Sequence, residues 1–379
     1  MKRIKVNPRK DWLLKNNQEG FDFSFVDGDP YWIESFAYEF NYQQILELEK
    51  ATKVLYDMSC EAVERVIKYN LFDKFKINPN YIQTIMNSWE KDDFSIYGRF
   101  DFSYDGKSPP KLLEFNADTP TALLESSVIQ WKWLEEQSYQ LKNNDQFNSI
   151  HEKLIENWDY FKENYIKDKI LYFTSSPESL EDYRNIEYLM DTAYQAGIDV
   201  AYIPIDQISS DGNIFIDQEN KKIDYLFKLY PYEWMMEEQF GSVLTKNSCT
   251  LIEPFWKAIL SNKALLVLLW EMFPNHPNLL ETSFNPIAKE FVKKPIYGRE
   301  GLNIEIKTRD MYFNAEHNDL YEKTGYIYQE AKILPCFDDN YAQVGSWIIG
   351  NEPAGICIRE DVTPVIGNLS TFVPHYFYE

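Results

Sequence analysis

Between residues 42 and 69 the apolar positions Ile45, Leu48, Val54, Leu55 and Met58 recur at three- and four-residue steps. That period predicts an amphipathic helix, part of a helical layer that occupies residues 1–95 and ends near "SWEKDDFSIYG". The period then falls to two. In "RFDF" (99–102) Phe100 and Phe102 point to one side and Arg99 and Asp101 to the other; in "LLEFNADTP", Leu113 and Phe115 share the apolar side while Glu114, Asn116 and Asp118 share the polar one. The connecting "SYDGKSPPK" supplies turn residues, so a hairpin over about 97–117 is expected. A helix should follow in "TALLESSVIQWKWLEEQ", with Asp118 or Thr119 as N-cap and Pro120 at its first position.

From about residue 168 the short apolar runs "KILYFTSS", "DVAYIPI" and "DYLFKLYP" read as buried strands, with a helix from about Leu180 to Ala196 stopped by Gly197. This β-α-β order predicts a small α/β unit. Beyond 250 come a helix in "FWKAILSNKALLVLLWEMF", a strand and glycine turn in "FVKKPIYGREGLNIEI", and paired strand signals in "GYIYQEAKIL", "AQVGSWIIG" and "AGICIRED". The chain therefore divides into 1–165, 166–250 and 251–379, packed as one body, and its class is α/β (α+β).

Composition narrows the function. With 44% hydrophobic and 16% aromatic residues the chain has ample material for a core. It has no apolar run long enough for a membrane span, and "MKRIKVNPRKDW" lacks the apolar segment of a signal peptide, so a cytoplasmic location is the expectation. A net charge of -22 disfavours nucleic acid and anionic membrane as partners and is compatible with a cationic substrate such as a polyamine. Cys60, Cys249, Cys336 and Cys357 lack metal or redox spacing and read as reduced packing residues. The four histidines form no zinc motif.

Candidate chemistry concentrates in four places. Asp101, Glu114 and Asn116 offer two carboxylates and an amide oxygen, hard ligands that suit magnesium, beside Arg99. "KKPIYGREGLN" (293–303) places Lys294 and Arg299 around two glycines, Gly298 and Gly301, where backbone can approach a phosphate closely. Lys263 lies within the predicted helix, where a solvated position is the ordinary reading, and Arg359 ends the apolar strand "GICI", where a structural ion pair would serve equally. Magnesium ligands, lysines and arginines without an activated cysteine or histidine fit phosphoryl transfer, which works by positioning and neutralising charge.

The motifs "RFDF…LLEFNADTP", "EPFWKAILSNKALL", "KPIYGREG", "YIYQE", "GSWIIG" and "AGICIREDVTPVIGN…FVPH" together resemble the synthetase domain of the glutathionylspermidine synthase family, from about residue 15 to the C-terminus. The resemblance implies an ATP-grasp fold with a preceding substrate-binding region, and ATP- and Mg2+-dependent joining of a carboxylate to an amine. It implies that Asp101, Glu114 and Asn116 hold metal, that Arg99 touches the transferring phosphate, and that Arg299 and Arg359 lie near the γ-phosphate and an acyl-phosphate. Lys263, Lys294, Gly298, Gly301 and Gln343 would contact nucleotide, Gln329 and Glu330 would lie beside adenine, and Asp118, Thr119 and Thr121 would meet the acid substrate. Bifunctional members carry an amidase domain with a cysteine nucleophile, which nothing before residue 95 provides, so reversal of the ligation is not expected. A phosphotransferase on the same fold, or a nucleotide-binding regulator without turnover, are the alternatives.

Overall fold

The computed structural model describes residues 1–137, 141, 144–287 and 289–378. Strand β1 (Phe36–Asn41) runs directly into helix α1 (Tyr42–Lys68). Asn41 Oδ1 accepts from Gln44 N at 2.9 Å while Gln44 Oε1 accepts from Asn41 N at 3.0 Å, so two N–H groups at the helix start are satisfied reciprocally. The buried stripe includes Ile45, Leu48, Leu55 and Met58 and continues through Val63 and Val66.

The hairpin consists of β2 (Tyr97–Ser103) and β3 (Lys111–Asn116), with Arg99 opposite Asn116 and Asp101 opposite Glu114. Phe100 stacks on Phe115 with ring centroids 3.8 Å apart. The register shifts between Asp101 and Phe102, so that Phe102 faces Leu112. This bulge corrects the period-two reading: Leu112 is buried, whereas Leu113 turns to the side of Glu114. The next helix also departs from expectation. It starts at Leu123, whose N–H donates to Asn185 Oδ1 at 2.8 Å, so its cap comes from another helix and neither Asp118 nor Thr119 provides it.

Strand β4 (Leu171–Ser175), helix α2 (Leu180–Gln195) and strands β5 (Val200–Tyr202), β6 (Tyr225–Leu229) and β7 (Thr250–Ile252) form the α/β unit. All strand pairs in it are parallel, in the order β7-β6-β4-β5. Every residue of β4 is buried, as a strand covered on both faces requires. Because β7 belongs to this sheet, the division expected after residue 250 cuts through a strand.

The single helix expected after residue 254 is two, α3 (Lys257–Leu260) and α4 (Ala264–Met272). Asn262 breaks it: its Nδ2 donates to Phe75 O at 2.7 Å and its Oδ1 accepts from Ala264 N at 2.9 Å, a side-chain competition with the helical ladder. Lys263 consequently stands at the start of α4 and not on a solvated mid-helix face.

Strands β8 (Phe291–Pro295), β9 (Glu305–Lys307) and β10 (Tyr326–Glu330) form an antiparallel sheet, completed by Thr282–Ser283 and Tyr312–Asn314. Strands β11 (Asn340–Ile349), β12 (Glu352–Asp361) and β13 (Thr371–Val373) make a second one in the order β13-β12-β11-β2-β3. The early hairpin is thus part of the C-terminal sheet, with Asp101 paired to Gly345. Strand β14 (His375–Tyr378) lies parallel to β1 and ties the two chain ends together. All four cysteines are free; Cys336 is exposed on a short edge strand, unlike the packing role expected of it. Among the described residues no helix is long and apolar enough to cross a membrane.

Candidate active site

A cavity of about 520 Å³ lies between the two antiparallel sheets and the α/β unit. Of the residues singled out from sequence, Arg99, Asp101, Glu114, Asn116, Thr119, Thr121, Lys263, Lys294, Gly298, Arg299, Gly301, Gln329, Glu330, Gln343 and Arg359 all line it. Asp118 does not. Its carboxylate is buried against Lys228 Nζ and accepts from Tyr232 N at 3.0 Å, so this acid faces the α/β unit and anchors the segment that carries Thr119 and Thr121.

The hairpin supplies the acidic floor. Arg99 Nε and Nη2 donate to the two oxygens of Asp101 at 2.7 and 3.0 Å, and Arg99 Nη1 reaches Thr121 O at 2.7 Å. Asn116 Nδ2 lies 3.0 Å from Asp101 Oδ2 and 3.2 Å from Glu114 Oε1. Asp101 Oδ1 and both oxygens of Glu114 keep a further lone pair, and rotation of the Asn116 amide would free Asp101 Oδ2 and present the amide oxygen. Two carboxylates and an amide on facing registers, open to a cavity that can hold water and phosphate, fit a hard cation such as Mg2+. Burial raises Asp101, with Arg99 opposing it. Burial would raise Glu114 too, but Lys263 and Lys294 outweigh it and hold the carboxyl down at about 2.

Two lysines come from opposite sides. Lys263 Nζ lies 2.9 Å from Glu114 Oε2 and donates to Gly298 O at 2.6 Å. Lys294 Nζ donates to Leu113 O at 2.9 Å and Gln329 Oε1 at 2.8 Å; burial brings it down to about 8, with Glu114 opposing. Gln329 in turn donates to Leu112 O at 3.2 Å, so β10 and β8 are pinned to the hairpin at the cavity wall.

The glycine loop closes one side. Arg299 Nη2 and Nε share Glu233 Oε1 at 2.7 and 3.1 Å, Nη1 donates to Thr119 Oγ1 at 2.7 Å, and the guanidinium sits over Trp234. Gly301 has φ +71°, and a Cβ there would stand 2.6 Å from Val365 Cγ1 and 2.7 Å from Ile366 O. Only glycine lets this loop lie against residues 365–366. Arg359, next to Gln343 across the ladder, donates through Nε to Ser370 O at 3.0 Å. Its Nη2 reaches Gly367 O, Asn368 O and Ser370 O at 3.0, 2.8 and 2.7 Å.

The opposite wall went unread in the sequence. Ser176, Glu178, Ser179, Glu181 and Asp182, at the C-terminal end of β4 and the start of α2, line the cavity with Glu300 of the glycine loop. Burial and Glu181 push Asp182 up to about 7 and raise Glu300. The signal was available: "SSPESLED" is an acidic stretch at the carboxyl end of a parallel strand, where open α/β sheets bind ligands.

Two antiparallel sheets clasping a cavity against a parallel α/β layer define an ATP-grasp architecture. The same fold occurs in the apo structure of a glutathione synthetase-like effector from Globodera pallida, with TM-score 0.59 and 11% identity over 97% of this chain and 95% of that one. The chain belongs to the glutathionylspermidine synthase family, whose model, described as "Glutathionylspermidine synthase preATP-grasp", matches residues 3–378. It is 40% identical over 393 residues to the Haemophilus influenzae protein named "Putative acid--amine ligase", covering 100% of each. It is 27% identical to the bifunctional glutathionylspermidine synthetase/amidase of Escherichia coli, over 86% of this chain and 57% of that one. It is 26% identical to the trypanothione synthetase of Crithidia fasciculata, over 84% and 53%. The chain thus spans little more than half the length of these last two, and it is an enzyme of the acid–amine ligase class.

Proposed function

We propose that the enzyme uses ATP and Mg2+ to join a small peptide-like carboxylate to an amine through an acyl-phosphate intermediate. The observation that carries this reading is the convergence of Arg99, Arg299 and Arg359 with Lys263, Lys294 and the Asp101–Glu114–Asn116 set on one cavity. A carboxylate is a poor electrophile. Its oxygen attacks the γ-phosphorus of ATP and ADP leaves; the amine nitrogen then attacks the acyl carbon and inorganic phosphate leaves, while the ammonium proton passes to a base. Adenine fits between Leu113, Val292, Ile306 and Leu334, beside the Gln329–Glu330 segment, with Lys263 and Lys294 directed at the phosphates. Arg99, Arg299 and Arg359 neutralise charge as the phosphoryl group moves and as the tetrahedral oxyanion forms. Bound at Asp101, Glu114 and Asn116, Mg2+ would supply further neutralisation of the triphosphate.

The acidic wall supports a cationic amine as the second substrate. Glu178, Glu181, Asp182 and Glu300 crowd negative charge that an ammonium group would relieve, and Asp182, raised to about 7, is suited to accept its proton. Thr119 and Thr121, which line the same cavity, are assigned in this reading to the acid substrate. The test is ADP release with Mg2+, screened over a matrix of peptide acids and di- or polyamines. Release that requires both an acid and an amine is expected; release with acid alone and a phosphorylated product would replace the ligase by a phosphotransferase.

A further inference from the structure

We propose that Tyr31, far from the site in sequence, is a positioning residue that backs the guanidinium of Arg359; this rests on the reading of Arg359 as a phosphoryl-facing group. Arg359 Cζ stands 5.3 Å from the centroid of the Tyr31 ring. Its Nε and Nη2 are taken by three carbonyls of residues 367–370, and Nη1 has no hydrogen bond among the described residues. That leaves Nη1 for a ligand in the cavity that Arg359 lines.

The carbonyl partners fix the edge of the guanidinium: Ser370 is buried, its hydroxyl donating to Asp361 Oδ2 and accepting from Gly367 N, while Asn368 is exposed. Hydrogen bonds to in-plane N–H groups leave the face of the guanidinium to Tyr31, which is buried and held at every end. Its hydroxyl donates to the buried Glu125 Oε1 at 2.7 Å, its N–H donates to Ser24 O at 3.0 Å, and its carbonyl accepts from Phe372 N at 2.6 Å. Phe372 is the residue paired with Arg359 across β12 and β13, and Trp32 stacks on it at 5.5 Å. The ring is therefore tied to the same ladder as the arginine. A fixed aromatic face against a guanidinium restrains its plane while leaving its in-plane donors available. Among the described residues Glu125 Oε2 has no hydrogen-bond partner, and the Tyr31 hydroxyl is the side-chain donor to this buried carboxyl.

The experiment measures binding of MgADP alone and of MgADP with aluminium fluoride, a mimic of the transferring phosphoryl group, to the full chain. Wild type is compared with Tyr31→Leu, Tyr31→Phe, Arg359→Ala and the Tyr31→Leu/Arg359→Ala double variant. The expected result is that Tyr31→Leu loses about tenfold of the fluoride-dependent gain. Tyr31→Phe, which keeps the ring, should lose less than about threefold, and the double variant should be no worse than Arg359→Ala. A cooperative thermal transition like that of the wild type shows that each variant is folded. If Arg359→Ala lowers the gain but Tyr31→Leu does not, or if the two losses add, the positioning role is wrong while the reading of Arg359 stands. If Tyr31→Phe falls as far as Tyr31→Leu, the ring face is not what acts. If Arg359→Ala keeps the full fluoride-dependent gain, or the wild type shows none, the phosphoryl-facing reading itself fails.

Discussion

Replacing Lys228 by Met should expose how the α/β unit supports the site. Lys228 and Asp118 are 0% and 1% exposed, and the ammonium also sits 3.7 Å over the Tyr232 ring. Removing the lysine leaves the Asp118 carboxylate buried with the Tyr232 N–H as its remaining hydrogen-bond donor. An uncompensated buried charge of this kind costs about 3–5 kcal/mol. For a cooperative chain of 379 residues, an unfolding entropy of about 2.1 cal/mol/K per residue gives about 0.8 kcal/mol/K in total, so about 4 kcal/mol lowers Tm by about 5 °C. Differential scanning calorimetry measures this directly. The Asp118→Asn/Lys228→Met double variant removes the charge yet keeps an oxygen for Tyr232 N, and should recover at least half of the loss. Because Asp118 precedes the threonines that receive Arg299 and Arg99, the single variant should also lower kcat well below its melting temperature. A Tm shift under about 2 °C, or a double variant no better than the single, would refute the anchoring argument.

Other outcomes follow from the same geometry. Asp101→Asn and Glu114→Gln should each cut ATP-dependent turnover by about 100-fold or more and raise the Mg2+ needed for half-maximal rate; an unchanged Mg2+ titration would remove these residues from the metal site. Gly301→Ala forces a Cβ into Val365 and Ile366 O at positive φ, so the loop cannot seat. KM for ATP should rise and ADP release without amide should increase, seen as a ratio of ADP to product above one. Buried His375, held down at about 3 by burial, stays neutral in the folded state while the unfolded chain protonates near 6.5. Its contribution, about 5 kcal/mol in full, is present above pH 6.5 and is lost as pH falls toward 3. His375→Asn should therefore flatten the acid limb of a urea-stability profile by about one proton, and an identical slope would contradict this.

Alternation and turn chemistry determine the elements at the site: the two strands of the hairpin, the β-α-β unit and the glycine loop between β8 and β9 are all legible in the local period of the sequence. The residue types that could meet metal and phosphate were legible too, since hard oxygen ligands and fixed cations are recognisable wherever they stand. What the chain alone did not settle are the features decided by one extra residue or by a distant partner. The bulge at Asp101–Phe102 moves Leu113 into the cavity, a shift that period-two counting cannot register. Asn262 splits a helix because Phe75 O, remote in sequence, accepts its side chain. Asp118 reads as a ligand-facing acid, yet the tertiary structure gives it Lys228, and a buried charge goes where its counter-charge is. The acidic wall of Glu178, Glu181, Asp182 and Glu300 exists only because α2 and the glycine loop meet across the cavity. Local sequence governs dihedral preference and periodicity over a few residues; which charges share a low-dielectric space depends on contacts between distant segments, and those arise only when the whole chain packs.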